Sequence, residues 1–297
     1  MPSIEREGFT INYEETGRGD GHPLVLVAGL GEQIGAVEYP DEQCALFAEQ
    51  GFRIIRLDNR DTGLSIPTAP IPNVDILAAL SALQQGRDVA APYTLFTMAD
   101  DVVAVLDALG IEKAHVMGAS MGGYVVRWMA LRHPHRVASL QIVMSGSGAV
   151  PGEDGPQLTP AVIEKLAGQC QWRDRNQAVP YQTEMWRWYW GNGYPFEEEW
   201  VKQRVTFAYD RAYRPEGIAR QMLAVIKTPS LWEAQAGIRC PTLVIHGERD
   251  LCFPGEHGKA IATRIPGAQL WLDPQMGHIL HREQWQEMAK RAAALAM

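Results

Sequence analysis

No run in the 297-residue sequence reaches the roughly 20 consecutive apolar residues that a membrane-spanning helix requires. The opening Met1-Pro2-Ser3-Ile4-Glu5-Arg6 lacks the apolar stretch of a secretory leader, so a cytoplasmic location is expected. Cysteine is scarce. Cys44, Cys170, Cys240 and Cys252 are scattered and form no C-x-x-C pair, which argues against both a disulfide framework and a zinc site. Clusters of Lys or Arg are also missing. With a formal charge of −8, nucleic acid and anionic membranes are excluded as main partners.

What remains is an ordinary globular balance, 46% hydrophobic and 21% charged, in a chain long enough to bury a large core. Short apolar runs alternate with helical patterns. Leu24-Val25-Leu26-Val27, Arg53 to Asp58, Ala114 to Met117, Val137 to Met144, Thr242 to Ile245 and Gln269 to Leu272 read as strands. Asp41 to Gln50, Ala99 to Leu109, Tyr124 to His133, Glu256 to Ile265 and Glu283 to Leu295 read as helices. An early hairpin is expected with Ile11 to Glu14 as one arm and Thr16 to Gly21 as its turn. This alternation predicts an α/β fold, a mostly parallel central sheet flanked by helices. The segment from Ser147 to Ile238 breaks it with helices and loops, which predicts an inserted helical lid. The expected organisation is core at 1–146, lid or cap at 147–238 and core again at 239–297.

Gly118-Ala119-Ser120-Met121-Gly122-Gly123 sets one serine among glycines between a strand and a helix. A hydroxyl becomes a useful nucleophile when a sharp strand-to-helix turn holds it out in the open, and that turn leaves little room for neighbouring side chains. Such a serine needs a base, and the base needs an orienting carboxylate. Asp250, in the loop after Thr242 to Ile245, is the expected acid, with Glu248 as competitor. His278, directly after Gly277 and before the last helix, is the expected base, with His281 as fallback. His115 reads as a core residue, and His22, His133, His135 and His257 as surface or cap positions. An oxyanion hole needs two backbone N–H groups, and the amides of Leu30 and Met121 are the candidates. The glycines at 29, 31 and 35 lack the G-x-G-x-x-G spacing of a dinucleotide site. The chemistry requires neither a metal nor an organic cofactor.

These motifs resemble those of the α/β-hydrolase superfamily over nearly the whole chain. Gly29-Leu30-Gly31, the Asp58-to-Ser65 loop, the serine turn and the Asp250/His278 pair carry the likeness. Within it, the chain is similar to the aclacinomycin methylesterase group. Two departures stand out: Asp61 replaces the usual glycine of the D-x-R-G-x-G-x-S loop, and Ala28-Gly29 replaces His-Gly. Asp58 and Arg60 read as loop braces. The resemblance implies a serine carboxylic ester hydrolase working through an acyl-enzyme on Ser120. A lactone or carbon–carbon bond hydrolase on the same three residues is the alternative, followed by an aminopeptidase and a ligand-binding protein without activity. The aromatic stretch Met185 to Trp190, with Tyr194, suggests an apolar roof for a small-to-medium, apolar or aromatic ester. Trp186, Trp188, Trp190, Tyr194 and Met144 are the expected substrate contacts, with Met121 and Met222 as further lining.

Overall fold

The computed structural model describes residues 1–296. Eight strands form one sheet: β1 (Ser3–Arg6), β2 (Phe9–Gly17), β3 (His22–Val27), β4 (Phe52–Leu57), β5 (Ala114–Ala119), β6 (Val137–Val143), β7 (Thr242–Gly247) and β8 (Gln269–Asp273). Their spatial order is β1-β2-β4-β3-β5-β6-β7-β8. The first three of these are joined by antiparallel pairings, and every pairing from β4 onward is parallel. All six residues of β5 and of β7 are buried, the burial expected of parallel strands covered on both faces.

The hairpin forms, but not where the sequence places it. Its turn is Glu7-Gly8, both at positive φ (45° and 75°), and it pairs β1 with β2. The turn-rich stretch at 18–21 instead crosses from β2 to β3, which are separated in the sheet by β4.

On one face pack α1 (Asp41–Glu49) and α10 (Arg282–Ala296). On the other lie α3 (Leu95–Ala108), α4 (Met121–Arg132) and α9 (Glu256–Arg264). A further helix, α2 (Ile76–Gln84), is capped by the Asp75 carboxylate accepting from the Ala78 N–H. Between β6 and β7 the chain forms four helices and no strand: α5 (Pro160–Gly168), α6 (Arg175–Trp190), α7 (Glu198–Ala212) and α8 (Pro215–Lys227).

Topology decides where a site can sit. From β3 the chain moves to β4 on one side, then returns to place β5 on the other. Helices leaving neighbouring strands in opposite directions open a crevice at the carboxyl ends of β3 and β5. Residues 28–31 and Ser120 stand at that crevice. The four cysteines are unpaired.

Candidate active site

Ser120 sits between β5 and α4 with φ 51° and ψ −115°, a conformation costly for a residue with a side chain. The flanking glycines explain how the turn closes. A Cβ on Gly118 would overlap the Gly122 carbonyl, and one on Gly122 would overlap that of Val27. Hydrogen bonds hold the turn from below: the Ser120 N–H donates to Val143 O at 3.0 Å, and the Ser145 hydroxyl donates to Ser120 O at 2.8 Å. Ser145 is itself held by Arg127, a fully buried guanidinium that also donates to Gly123 O, Gly146 O and Ser147 O. Desolvation lowers its pKa to about 10. Nothing in the sequence marks Arg127, because an arginine inside an apolar helix pattern reads as a solvent-facing position.

His278 Nε2 is 3.0 Å from Ser120 Oγ, and His278 Nδ1 is 2.8 Å from Asp250 Oδ2. Both His278 and Asp250 are 3% exposed. The other oxygen of Asp250 accepts the Cys252 and Phe253 N–H groups at 2.8 and 2.7 Å, which fixes the carboxylate. The His278 N–H donates to Tyr189 O at 2.6 Å, and the Tyr189 and Phe253 rings lie against the imidazole. The competitors stand elsewhere. Glu248 points into solvent, and His281 accepts the Gly277 N–H while packed between Trp190 and Tyr194. Burial pushes the His281 pKa down to about 4. His115 is a core residue bonded to the Ser139 hydroxyl, as its strand position suggests. His257 is not a surface residue. It is buried and its Nδ1 accepts the Ser147 N–H, because α9 begins by turning into the core.

In the loop after β3 the Gly29 N–H is taken by the Glu38 carboxylate (2.6 Å) and the Gly31 N–H by the Gln221 side-chain oxygen (2.9 Å). The Leu30 N–H between them has no acceptor among the described residues. Met121 opens α4, so its N–H has no partner in its own helix and lies at the positive end of the helix dipole. Asn59 donates to Ala28 O and holds the loop from the far side.

Above these groups lies a cavity of about 900 Å³ of atom-free space, part of it open to solvent. Its floor carries Ser120, His278, Leu30 and Met121; its roof is Leu158, Ile163, Leu166, Trp186, Tyr189 and Met222. Of the expected aromatic contacts only Trp186 lines it. Trp188, Trp190, Tyr194 and Met144 do not. The helical period explains Trp188: Trp186 and Tyr189 share a face of α6, whereas Trp188 lies about 200° round from Trp186 at 100° per residue. Trp190 is 1% exposed and packs on Phe196 and His281, and Tyr194 also rests on His281. Met144 follows β6 at φ 41° and is buried in the sheet face beneath α1 and α10.

Two carboxyls that the sequence reading did not single out, Glu32 and Glu38, also face this cavity. Desolvation raises Glu32 to about 7; desolvation and then repulsion from Glu32 raise Glu38 to about 8. Their place within eight residues of Gly31 was the available signal.

The loop that departs from the usual pattern is explained by α8. Asp61 keeps a positive φ of 69°, the conformation for which glycine is usual, and its carboxylate receives both arms of Arg220 at 2.8 and 2.7 Å. Asp58 accepts from the Ile34 and Leu64 N–H groups and from Arg211, and Arg60 forms a two-armed buried pair with Asp101. Both residues brace loops and neither lines the cavity.

The family model for the alpha/beta hydrolase fold matches residues 22–284. Among curated proteins, the rhodomycin D methylesterase DauP of Streptomyces sp. (strain C5) is 28% identical, over 94% of this chain and 93% of that protein. A 2-hydroxy-6-oxononadienedioate/2-hydroxy-6-oxononatrienedioate hydrolase of Burkholderia vietnamiensis (strain G4 / LMG 22486) is 27% identical, over 90% of this chain and 84% of that one. A solved hydrolase from Pseudomonas aeruginosa PA01 superposes with a TM-score of 0.74 at 25% identity, over 99% of this chain and 97% of the other.

Proposed function

Since the chain belongs to the alpha/beta hydrolase fold family, we propose that it is a serine hydrolase of carboxylic esters working by two-step acyl transfer. The observation that carries this reading is the unbroken relay from Asp250 through His278 to Ser120, opening into an apolar cavity. His278 takes the Ser120 proton as the oxygen attacks the ester carbonyl. The tetrahedral oxyanion is held by the Leu30 and Met121 N–H groups. His278 then returns the proton to the departing alcohol, and water repeats the sequence on the acyl-enzyme. Asp250 keeps the imidazole in the required tautomer and stabilises its charged form. The helical insertion at 147–238 serves as the cap, and its apolar roof fits a small-to-medium apolar or aromatic acyl or alcohol group. The methylesterase named among the relatives supports the ester class.

Two measurements test this. A fluorophosphonate should label wild type, while Ser120→Ala and His278→Ala should stay unlabelled and lose on the order of 10⁶-fold in turnover. A panel of p-nitrophenyl esters, methyl esters of aromatic acids, lactones and a vinylogous diketone should show ester turnover foremost. Inactivity on every ester sinks the reading; turnover of the diketone alone replaces it with carbon–carbon hydrolysis.

A further inference from the structure

Glu38 is 4% exposed, yet among the described residues it forms no ion pair, and neither does Glu32. No Lys or Arg lines the cavity they share with Ser120. The contacts they do make are to backbone. Glu38 Oε2 accepts the Gly29 N–H at 2.6 Å, and Glu32 Oε2 accepts the N–H groups of Val37 and Glu38 at 3.1 and 3.2 Å. Glu32 therefore holds Glu38, and Glu38 holds the residue directly before Leu30. The carboxyl is also close to the nucleophile. A Cβ built on Gly29 would stand 2.9 Å from Glu38 Oε1 and 3.1 Å from Ser120 Cβ, so one glycine separates the two side chains.

An ionised Glu38 carboxylate works against an oxyanion developing beside Leu30, since like charges repel strongly where burial lowers the local dielectric. A neutral carboxyl does not, and its carbonyl oxygen still accepts the Gly29 N–H. Building on the ester-hydrolase reading, we propose that Glu38 is a positioning residue for acyl transfer. Its carboxyl sets the Leu30 amide against Ser120, and the Glu32–Glu38 pair must keep a proton for that arrangement to favour the oxyanion. The other titratable groups facing the pair are Tyr39 behind it, Tyr124 on α4, Tyr189 on α6, Cys252 and His278. None of these supplies a resident lysine or arginine cation to offset a second negative charge.

The sign follows directly. Both carboxyls are raised above their usual value, so the proton is present below about pH 7 and leaves as pH rises through about 8. Turnover then falls on the alkaline side, where an imidazole base alone gives a plateau. The test is kcat and KM on a neutral short-chain p-nitrophenyl ester from pH 6 to 10, with the rate of fluorophosphonate labelling of Ser120 measured in parallel. Glu38→Ala, which removes the acceptor for Gly29, should lower kcat about 10²-fold with KM little changed, the size of one impaired oxyanion donor. Glu38→Gln should recover most of that loss, because its amide oxygen still accepts the N–H. Glu32→Gln/Glu38→Gln should abolish the alkaline fall. Thermal unfolding of each variant separates misfolding from mispositioning. Labelling of Ser120 at a rate independent of pH, or an alkaline fall unchanged in the double variant, overturns the inference and leaves the ester reading standing. Absence of labelling at every pH overturns both.

Discussion

The helical insertion meets the core in two different ways. At its α8 end, Arg220 is paired with Asp61 inside the protein, Arg211 in the last turn of α7 reaches Asp58, and Gln221 bonds to Gly31, Arg60 and Thr62. Nine of the thirteen residues of α8 are buried. At the α5 end, only Ala167 of nine residues is buried, and Leu158 just before the helix and Ile163 and Leu166 within it reach the cavity as half-buried side chains. One end is fixed by buried, directional polar bonds, and the other rests on partly buried apolar side chains. On the proposed function, geometry for the reaction belongs with the first, and tolerance of different substrate shapes with the second.

Arg220→Met tests the fixed end hardest. It leaves the Asp61 carboxylate buried without its partner and should cost about 3–5 kcal/mol, read as a lower urea midpoint. Arg220→Met/Asp61→Gly should regain most of it, since glycine suits the positive φ and removes the stranded charge. An unchanged midpoint in the single variant would erase the distinction between the two ends. A smaller effect, about 1–3 kcal/mol, is expected for Gly122→Ala, where the new methyl meets the Val27 carbonyl at the serine turn. Its labelling by fluorophosphonate should slow as well. The smallest change in stability is expected at the loose end. Leu166→Ala should move the midpoint little while shifting the ratio of kcat/KM between long and short acyl esters by about tenfold. Equal loss on both substrates would show that α5 also fixes the chemistry.

This contrast also marks what the sequence made legible. Strands buried on both faces announce themselves as apolar runs, so Leu24 to Val27 and Thr242 to Ile245 were readable, and with them the loops that carry Ser120, Asp250 and His278. The lack of strands between β6 and β7 was readable for the same reason, since that stretch carries no such runs. Which face of α6 looks into the cavity was not. Trp186, Trp188 and Trp190 are chemically alike, and only the tertiary packing of α6 against His278 and His281 separates them. The departure at Asp61 could not be explained locally, because its partner Arg220 lies 159 residues away. Glu32 and Glu38 stand beside the Gly29–Gly31 loop in the sequence, but carboxylates are normally solvated, and only the fold shows that Glu38 is buried.

Gln221 carries a consequence of its own. One amide side chain accepts from Gly31 with its oxygen and donates to Arg60 and Thr62 with its nitrogen. It is a strut between the roof and the floor of the chamber. Any tilt of α8 is therefore passed, through a single side chain, to Gly31, the neighbour of the Leu30 amide that the proposed reaction uses. On that proposal, fit overhead and reactivity below become one mechanical event.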